Sequence, residues 1–504
     1  MMDENLIRFI MTISYYHIFN LQNDTPELNK LVNDLEIKDL ILQEKETIKW
    51  KIMQFMQSLR SDIHIIAENR YVDRVYRDSY YEYYATKRYQ YSRNCIRLSF
   101  FENGFKPNVN FNDQNNIKDN YLGFLVLRPL IACIGRNVIN PKAKIGPERD
   151  SKICKVEIDS SCLGIKLKAV GFPHASQDNE TMTCAQTVIW ELLEYYGNKY
   201  NEYRLTSQTE IANIIKTTSY ERLLPSEGLT CDQLSKTLRE LGFGPKIYFR
   251  NNYKDVDSYH EIIACYIESG IPLAFALTGG PGHAVVCIGH LPIDRSEVNK
   301  YSFQTQHNRK RLYNWNLAVA KSTFIFNDDN FPNYQCTSLD YPCTYYHDAN
   351  WMKNEITHFI APLYNKIYLE ADYAIETSKT IVDKFIQNCD DNVIRTFLTS
   401  SRSFREHVTH CGSFSDGQKI ALLQIELPKF VWVTELSSYE EFKDNKANSL
   451  IMLDATGSKT YYMLNNIIFL LSKRYIYKIE DDKNVKAISS TFPESFESFS
   501  GNLK

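Results

Sequence analysis

Four places in the middle of the chain carry one helix-start device, a Ser or Thr followed three residues later by Glu or Gln: Thr183 with Gln186, Ser207 with Glu210, Thr230 with Gln233, and Ser258 with Glu261. The hydroxyl accepts from an unpaired backbone amide of the first turn, and the second side chain reaches back to another. Apolar residues at helical spacing follow each, as in Val188, Leu192 and Tyr196. Gly197, Gly242 and Gly270 stand where a helix ending in the left-handed conformation takes glycine. Short apolar runs at 246–249, 272–277, 284–288 and 323–326 then read as strands, with 291–321 as a polar insertion between two of them. The region 169–345 is therefore predicted as α+β, helical first and sheet-rich second.

The flanks read differently. Residues 1–75 show rough helical spacing (Leu35, Ile41, Ile48, Met53, Met56 and Leu59), and 96–167 break into short β-like segments separated by turns. Between them, 79–92 is rich in Tyr with Arg and Lys, which reads as a solvated face with packed rings rather than a base-stacking strip. After 345 a helix near 375–385 and strands at 420–423, 431–434 and 450–453 predict an α/β region; 467–471 reads as a buried strand or helix turn. The expected division is 1–168, 169–345 and 346–504, and about three domains is what roughly 150 residues per domain gives for this length.

A formal net charge of −3 gives no electrostatic reason to expect nucleic acid as partner. No stretch reaches the roughly 18 apolar residues of a spanning helix, and the acidic opening Met-Met-Asp-Glu-Asn is unlike a secretory signal. Twelve cysteines over 504 residues are too sparse for a disulfide framework. The expectation is a soluble cytoplasmic protein with reduced thiols and no cofactor or metal.

One of those thiols is placed for chemistry. With Thr183 as cap, Cys184 is the first helical residue, where free amides and the helix dipole favour thiolate. Gln177, seven residues earlier, can aim its amide at the spot the Cys184 backbone N–H faces, and two such donors make an oxyanion hole. His283 follows Gly279-Gly-Pro-Gly282 at the mouth of a strand, and an imidazole there can take the thiol proton and return it to a leaving group. Asp328 follows the strand 323–327 and can hold the other ring nitrogen; Asp329 and Asn330 compete for that role.

In this order and on these elements, the residues resemble the double-glycine leader peptidases, a bacterial bacteriocin-processing family of papain-like cysteine peptidases. The resemblance covers about 170–335 and rests on Gln177-Asp-Asn-Glu-Thr-Met-Thr-Cys184-Ala, Glu227-Gly-Leu-Thr, Leu238-Arg-Glu-Leu-Gly242, Gly270-Ile-Pro-Leu-Ala, Gly282-His-Ala-Val-Val-Cys-Ile-Gly289 and Phe326-Asn-Asp-Asp-Asn330. It implies a helical lobe, an antiparallel β lobe and an active site between them, with Gln177, Cys184, His283 and Asp328 in the roles above. Many members are fused to a transporter with membrane spans and an ATPase; here Ala455-Thr-Gly-Ser-Lys-Thr460 lacks the first glycine and the Gly-Lys pair of a phosphate loop. Ala185 stands where the family often has glycine.

The expected activity is peptide-bond hydrolysis on a peptide or protein substrate, with protein partners possible through the flanking regions. The alternatives are acyl transfer or deamidation by the same machinery, or a module that binds a peptide without cutting it. Cys336, Cys343 and His347, and separately His407, His410 and Cys411, are weaker clusters that could ligate zinc.

Overall fold

The computed structural model describes residues 13–503 apart from 38–39, 89, 103–113, 179, 182, 218–228, 387–388, 459–465, 473–474, 480–484 and 490–491. Asn179, Met182, Glu227 and Gly228 of the stretches quoted above lie outside the described residues, as do Lys459 and Thr460. The chain is a mixed α+β structure built mainly on antiparallel sheets.

The first sheet runs in the order Ile13–His17, His64–Tyr71, Cys95–Phe101, Tyr121–Leu127, Ile134–Ile139, Pro173–His174, each pair antiparallel. Its central strands are buried along their whole length, so both faces are covered. Alternation divides them: Ile96, Leu98 and Phe100 face the helices Pro26–Asp34 and Leu42–Gln57, whereas Cys95, Phe101 and Val126 face the helix Cys184–Lys199. Among the described residues of 1–75, strands at Ile13–His17 and His64–Tyr71 flank the helices. The Tyr-rich stretch forms the helix Arg74–Glu82 and a following turn, with rings packed on one another, among them Tyr76, Tyr84 and Tyr91.

The second sheet is Phe243–Phe249, Glu355–Tyr364, Leu273–Thr278, His283–His290, Phe324–Asn327 and Gln335–Thr337, with Lys152–Ile153 added beside the His283 strand. All its pairings are antiparallel. Glu355–Tyr364 sits inside this sheet, so the expected boundary at 345 cuts through a continuous hydrogen-bonded structure. The reason is topological: Leu273–Thr278 and Phe243–Phe249 are joined only through a strand that arrives later in the chain.

The third sheet holds Ser302–Gln304, Arg311–Asn314, Asn392–Ser400, Phe430–Ser437, Ser449–Asp454, Ile467–Ser472, Tyr475–Ile479 and Val485–Ser489. Its first two strands come from 291–321, which is therefore no mere polar insertion. Val298, Leu312, Trp315 and Val319 are buried, and Arg311–Asn314 pairs parallel with Asn392–Ser400. Between the second and third sheets lies the helix Val256–Glu268, buried at every position from Tyr259 to Glu268, in one core with the helix Ala371–Phe385.

Three of the four predicted caps stand: Thr183, Ser207 and Thr230 precede their helices. The fourth fails because Asp255 starts that helix and accepts from the Ser258 N–H at 2.7 Å, which leaves Ser258 inside the first turn. Gly242 and Gly270 have φ of 94° and 74°, but Gly197 lies within the helix Cys184–Lys199, which Tyr200 ends. Residues 420–423, expected as a strand, belong to the helix Asp416–Leu423, capped by Ser415 and Gln418.

Candidate active site

The Cys184 helix starts where Thr183 donates its N–H to Gln186 Oε1 at 3.0 Å. This makes Cys184 the first helical residue, half-buried, at the positive end of the helix dipole. Every residue from Ala185 to Tyr196 is buried, so the thiol rides on an element fixed on all sides. The first sheet packs on one side; Ala284, Val286 and Ile288 of the His283 strand pack on another.

His283 is the first residue of that strand. The turn before it needs glycine: Gly279 has φ 110°, and a β carbon there would stand 2.5 Å from the Lys353 carbonyl oxygen. The close approach brings the 350–354 segment over the imidazole. His283 Nε2 lies 3.0 Å from Asp328 Oδ1 and 3.6 Å from Asp329 Oδ1. Nδ1 is then the nitrogen left for Cys184, whose side chain shares a cleft with the ring and favours its charged form. Burial works against the imidazolium, yet the charge and hydrogen bond of Asp328, the Cys184 contact and the Asp329 charge outweigh it and hold His283 well above its ordinary value. A proton therefore resides on the ring near neutrality, the state a thiolate partner and a general acid both require.

Asp328 is fully buried and fully bonded. Besides His283, Oδ1 accepts the Asn330 N–H at 2.9 Å, and Oδ2 accepts the hydroxyls of Tyr345 and Tyr346, each at 2.8 Å. Burial alone would raise this carboxyl; the His283 charge and these donors keep it below the usual range. Asp329 differs. It is buried beside Asp328, and desolvation first, then the neighbouring charge, push it up to about 7, against the pull of His283. Of the two neighbours, Asp328 holds the imidazole. Ligand atoms of His283, Asp328 and Asp329 lie within 4.8 Å of one another, the one such group among the described residues; a cation there would occupy the nitrogen that Asp328 holds.

Cys184 and His283 line one cleft of about 520 Å³. Its floor and walls are Leu234, Ala274, Ala276, Leu277 and Ile360, with Thr230 and His358 at polar points, and its described lining contains no Asp, Glu, Lys or Arg. Aromatic rings cover the back of the site. Trp351 meets the His283 ring edge to face at 5.4 Å and stacks on Tyr346 at 3.8 Å, which shields the His283–Asp328 bond from water and so strengthens it.

Gln177 is placed on the Asp328 side of the site: its amide donates to Asn330 Oδ1 at 2.7 Å, and it is absent from the described cleft lining. The two weaker zinc candidates do not assemble among the described residues. Cys343 Sγ accepts from the Asn354 amide, Cys336 sits on an edge strand near Glu148, and His347 is exposed. His407 and His410 each bond to a backbone carbonyl, and Cys411 is buried.

Sequence reasoning did not find Tyr345, Tyr346, Trp351 or His174. His174 is wholly buried and bonded through Nε2 to the Asp328 carbonyl oxygen at 3.1 Å; desolvation pushes it down to about 4, so it is neutral. No protein-family model, curated protein or solved structure matches this chain.

Proposed function

We propose that the chain is a cysteine peptidase with a papain-like core, in which Cys184 is the nucleophile, His283 the acid–base and Asp328 the group that orients the imidazole. The observation that carries this reading is the meeting of the Cys184 thiol and the His283 ring in one cleft, with the ring's far nitrogen 3.0 Å from a buried, fully bonded carboxylate. The Cys184 thiolate adds to an amide carbonyl carbon, and the carbonyl electron pair moves to oxygen. Collapse expels the amine, which takes its proton from His283 Nδ1, and leaves a thioester. Water, deprotonated by the same nitrogen, adds next; the C–S bond breaks, and the carboxylic acid and thiolate are released. The Cys184 backbone N–H serves as one oxyanion donor; the Gln177 amide gives one hydrogen to Asn330 Oδ1 outside the described cleft lining, and its second hydrogen is the one left to act as the other donor.

The uncharged lining fits a peptide with small or apolar residues at the scissile bond. All twelve cysteines are free, which fits an enzyme kept active in a reducing compartment such as the cytoplasm. Iodoacetamide labelling followed by peptide mapping tests the reading. Cys184 is expected to label fastest, and His283→Ala to abolish that preference. Equal, slow labelling of many cysteines in the wild type would refute it. Release of free carboxylate from a peptide library separates hydrolysis from acyl transfer or deamidation, and labelling without turnover marks a peptide-binding module.

A further inference from the structure

Among the described residues between the strand Pro173–His174 and the helix at 184 there is no helix or strand, yet this segment carries Gln177 and ends on the Cys184 amide. Besides the Gln177–Asn330 bond and the Ala175 N–H donated to Glu191, its described residues are held from the N-terminal region. Arg128 is buried, and its Nη2 donates to the carbonyl oxygens of Ser176 at 3.0 Å and Gln177 at 3.4 Å, while also gripping Ala132 and Ile134 of its own turn. Tyr84 is buried and donates its hydroxyl to Asp178 Oδ2 at 3.0 Å. Asp178 in turn accepts the N–H groups of Glu180 and Thr181 at 3.0 and 2.7 Å, folding the segment back on itself. Tyr83 donates to Glu180. Tyr83 and Tyr84 belong to the packed Tyr cluster that continues the helix Arg74–Glu82, so these tethers are anchored on a rigid body.

We propose that the N-terminal region is a working part of the active site: Tyr84 and Arg128 are positioning residues that fix the described residues of 176–181, and through them the Gln177 amide, as the second oxyanion donor beside the helix-held Cys184 backbone N–H. The inference rests on the peptidase reading of Cys184. An irregular segment has no internal ladder to define it, so its few side-chain tethers set where its donors point. Oxyanion donors act only when held near the developing charge, and a displacement of about 1 Å can lower a rate about a hundredfold. The thiolate–imidazolium pair stands on other elements, the Cys184 helix and the His283 strand, so the tethers govern one half of the chemistry and leave the other alone.

That division sets the experiment, on the full chain. Tyr84→Phe keeps the ring and removes only the hydroxyl; Asp178→Asn weakens the same bond from the other side. Two reactions of Cys184 are followed. Acylation by the p-nitrophenyl ester of benzoylglycine passes through an oxyanion, whereas alkylation by iodoacetamide displaces iodide at a saturated carbon and develops none. Both variants are expected to lower kcat for the ester about tenfold or more with KM little changed, and to leave the rate and pH profile of alkylation as in the wild type. Ester turnover at the wild-type rate in both variants overturns the proposal. A parallel fall in both reactions also overturns it, because the tethers would then serve the ion pair or the general fold. Should Tyr84→Phe not fold, Asp178→Asn alone decides. A wild-type chain whose Cys184 resists iodoacetamide sinks the peptidase reading itself, a result distinct from either.

Discussion

Replacing Asp328 by Asn removes one charge and very little else. Oδ1, which faces His283 and the Asn330 amide, remains an acceptor; the new amide faces the Tyr345 and Tyr346 hydroxyls, which can accept as well as donate. Two opposite charges 3.0 Å apart interact by about 5 kcal/mol at an effective dielectric of about 20. Part of that survives as a neutral hydrogen bond. A bond to a charged group contributes about 1.5–3 kcal/mol and a neutral one about 0.5–1.5, so the net loss is about 1–1.5 kcal/mol, or about tenfold in the population of imidazolium. His283 is held above its ordinary value of 6.5. Its contribution is therefore complete below that value and lost as pH rises through the raised one. In Asp328→Asn the loss begins at lower pH. The assay is ester hydrolysis against pH: the alkaline limb is expected to move toward acid, with kcat about tenfold lower on that limb, while the fold is retained. An alkaline limb in the same place would show that Asp328 does not govern the proton on His283.

Three other outcomes are expected. Tyr345→Phe and Tyr346→Phe each take one donor from a buried carboxylate, so each lowers unfolding stability by about 1.5–3 kcal/mol in urea titrations, and the pair departs from additivity because both bond the same oxygen. His174 is neutral in the fold at about 4 against an ordinary 6.5; unfolding binds its proton across that window, so it makes stability fall with acidification by about 3 kcal/mol. His174→Gln is expected to show a shallower acid dependence between those pH values, read from denaturation midpoints. Leu312→Ala, in the supposed insertion, is expected to lower stability by about 2–5 kcal/mol, since Leu312 is fully buried within a strand of the third sheet; a change under about 0.5 kcal/mol, the usual range for surface sites, would mean the segment is peripheral after all.

Much of the candidate site was legible because Cys184, His283 and Asp328 each announce themselves by neighbours in the chain: a cap one residue away, a glycine turn, the end of an apolar run. Their supports were not. Tyr345 and Tyr346 reach Asp328 across 17 and 18 residues, and His174 reaches it across 154; no local pattern encodes such distances. Arg128 carried no reading at all in the sequence, since its meaning lies in carbonyls 48 and 49 residues on. The misplaced elements have local causes. Asp255 and Ser258 both qualify as caps, and only the burial of the helix decides between them. The apolar run 420–423 mimics a strand until Ser415 and Gln418 are weighed as a cap. Residues 291–321 look polar because only Val298, Leu312, Trp315 and a few neighbours point inward, toward a sheet whose next strand, Asn392–Ser400, pairs with Arg311–Asn314 from 80 residues later.

The strand Glu355–Tyr364 threads between two partners made about eighty and a hundred residues before it. During synthesis, a chain grown to 345 already holds Cys184, His283 and Asp328, but Leu273–Thr278 still has a bare edge and His358 and Ile360, which complete the cleft, do not yet exist. Assembly of that wall must wait for long-range closure, the slow kind of step in sheet formation. Nascent chains would therefore carry Cys184 for some time without its groove, and on the peptidase proposal activity would switch on late, after the whole second sheet has zipped shut.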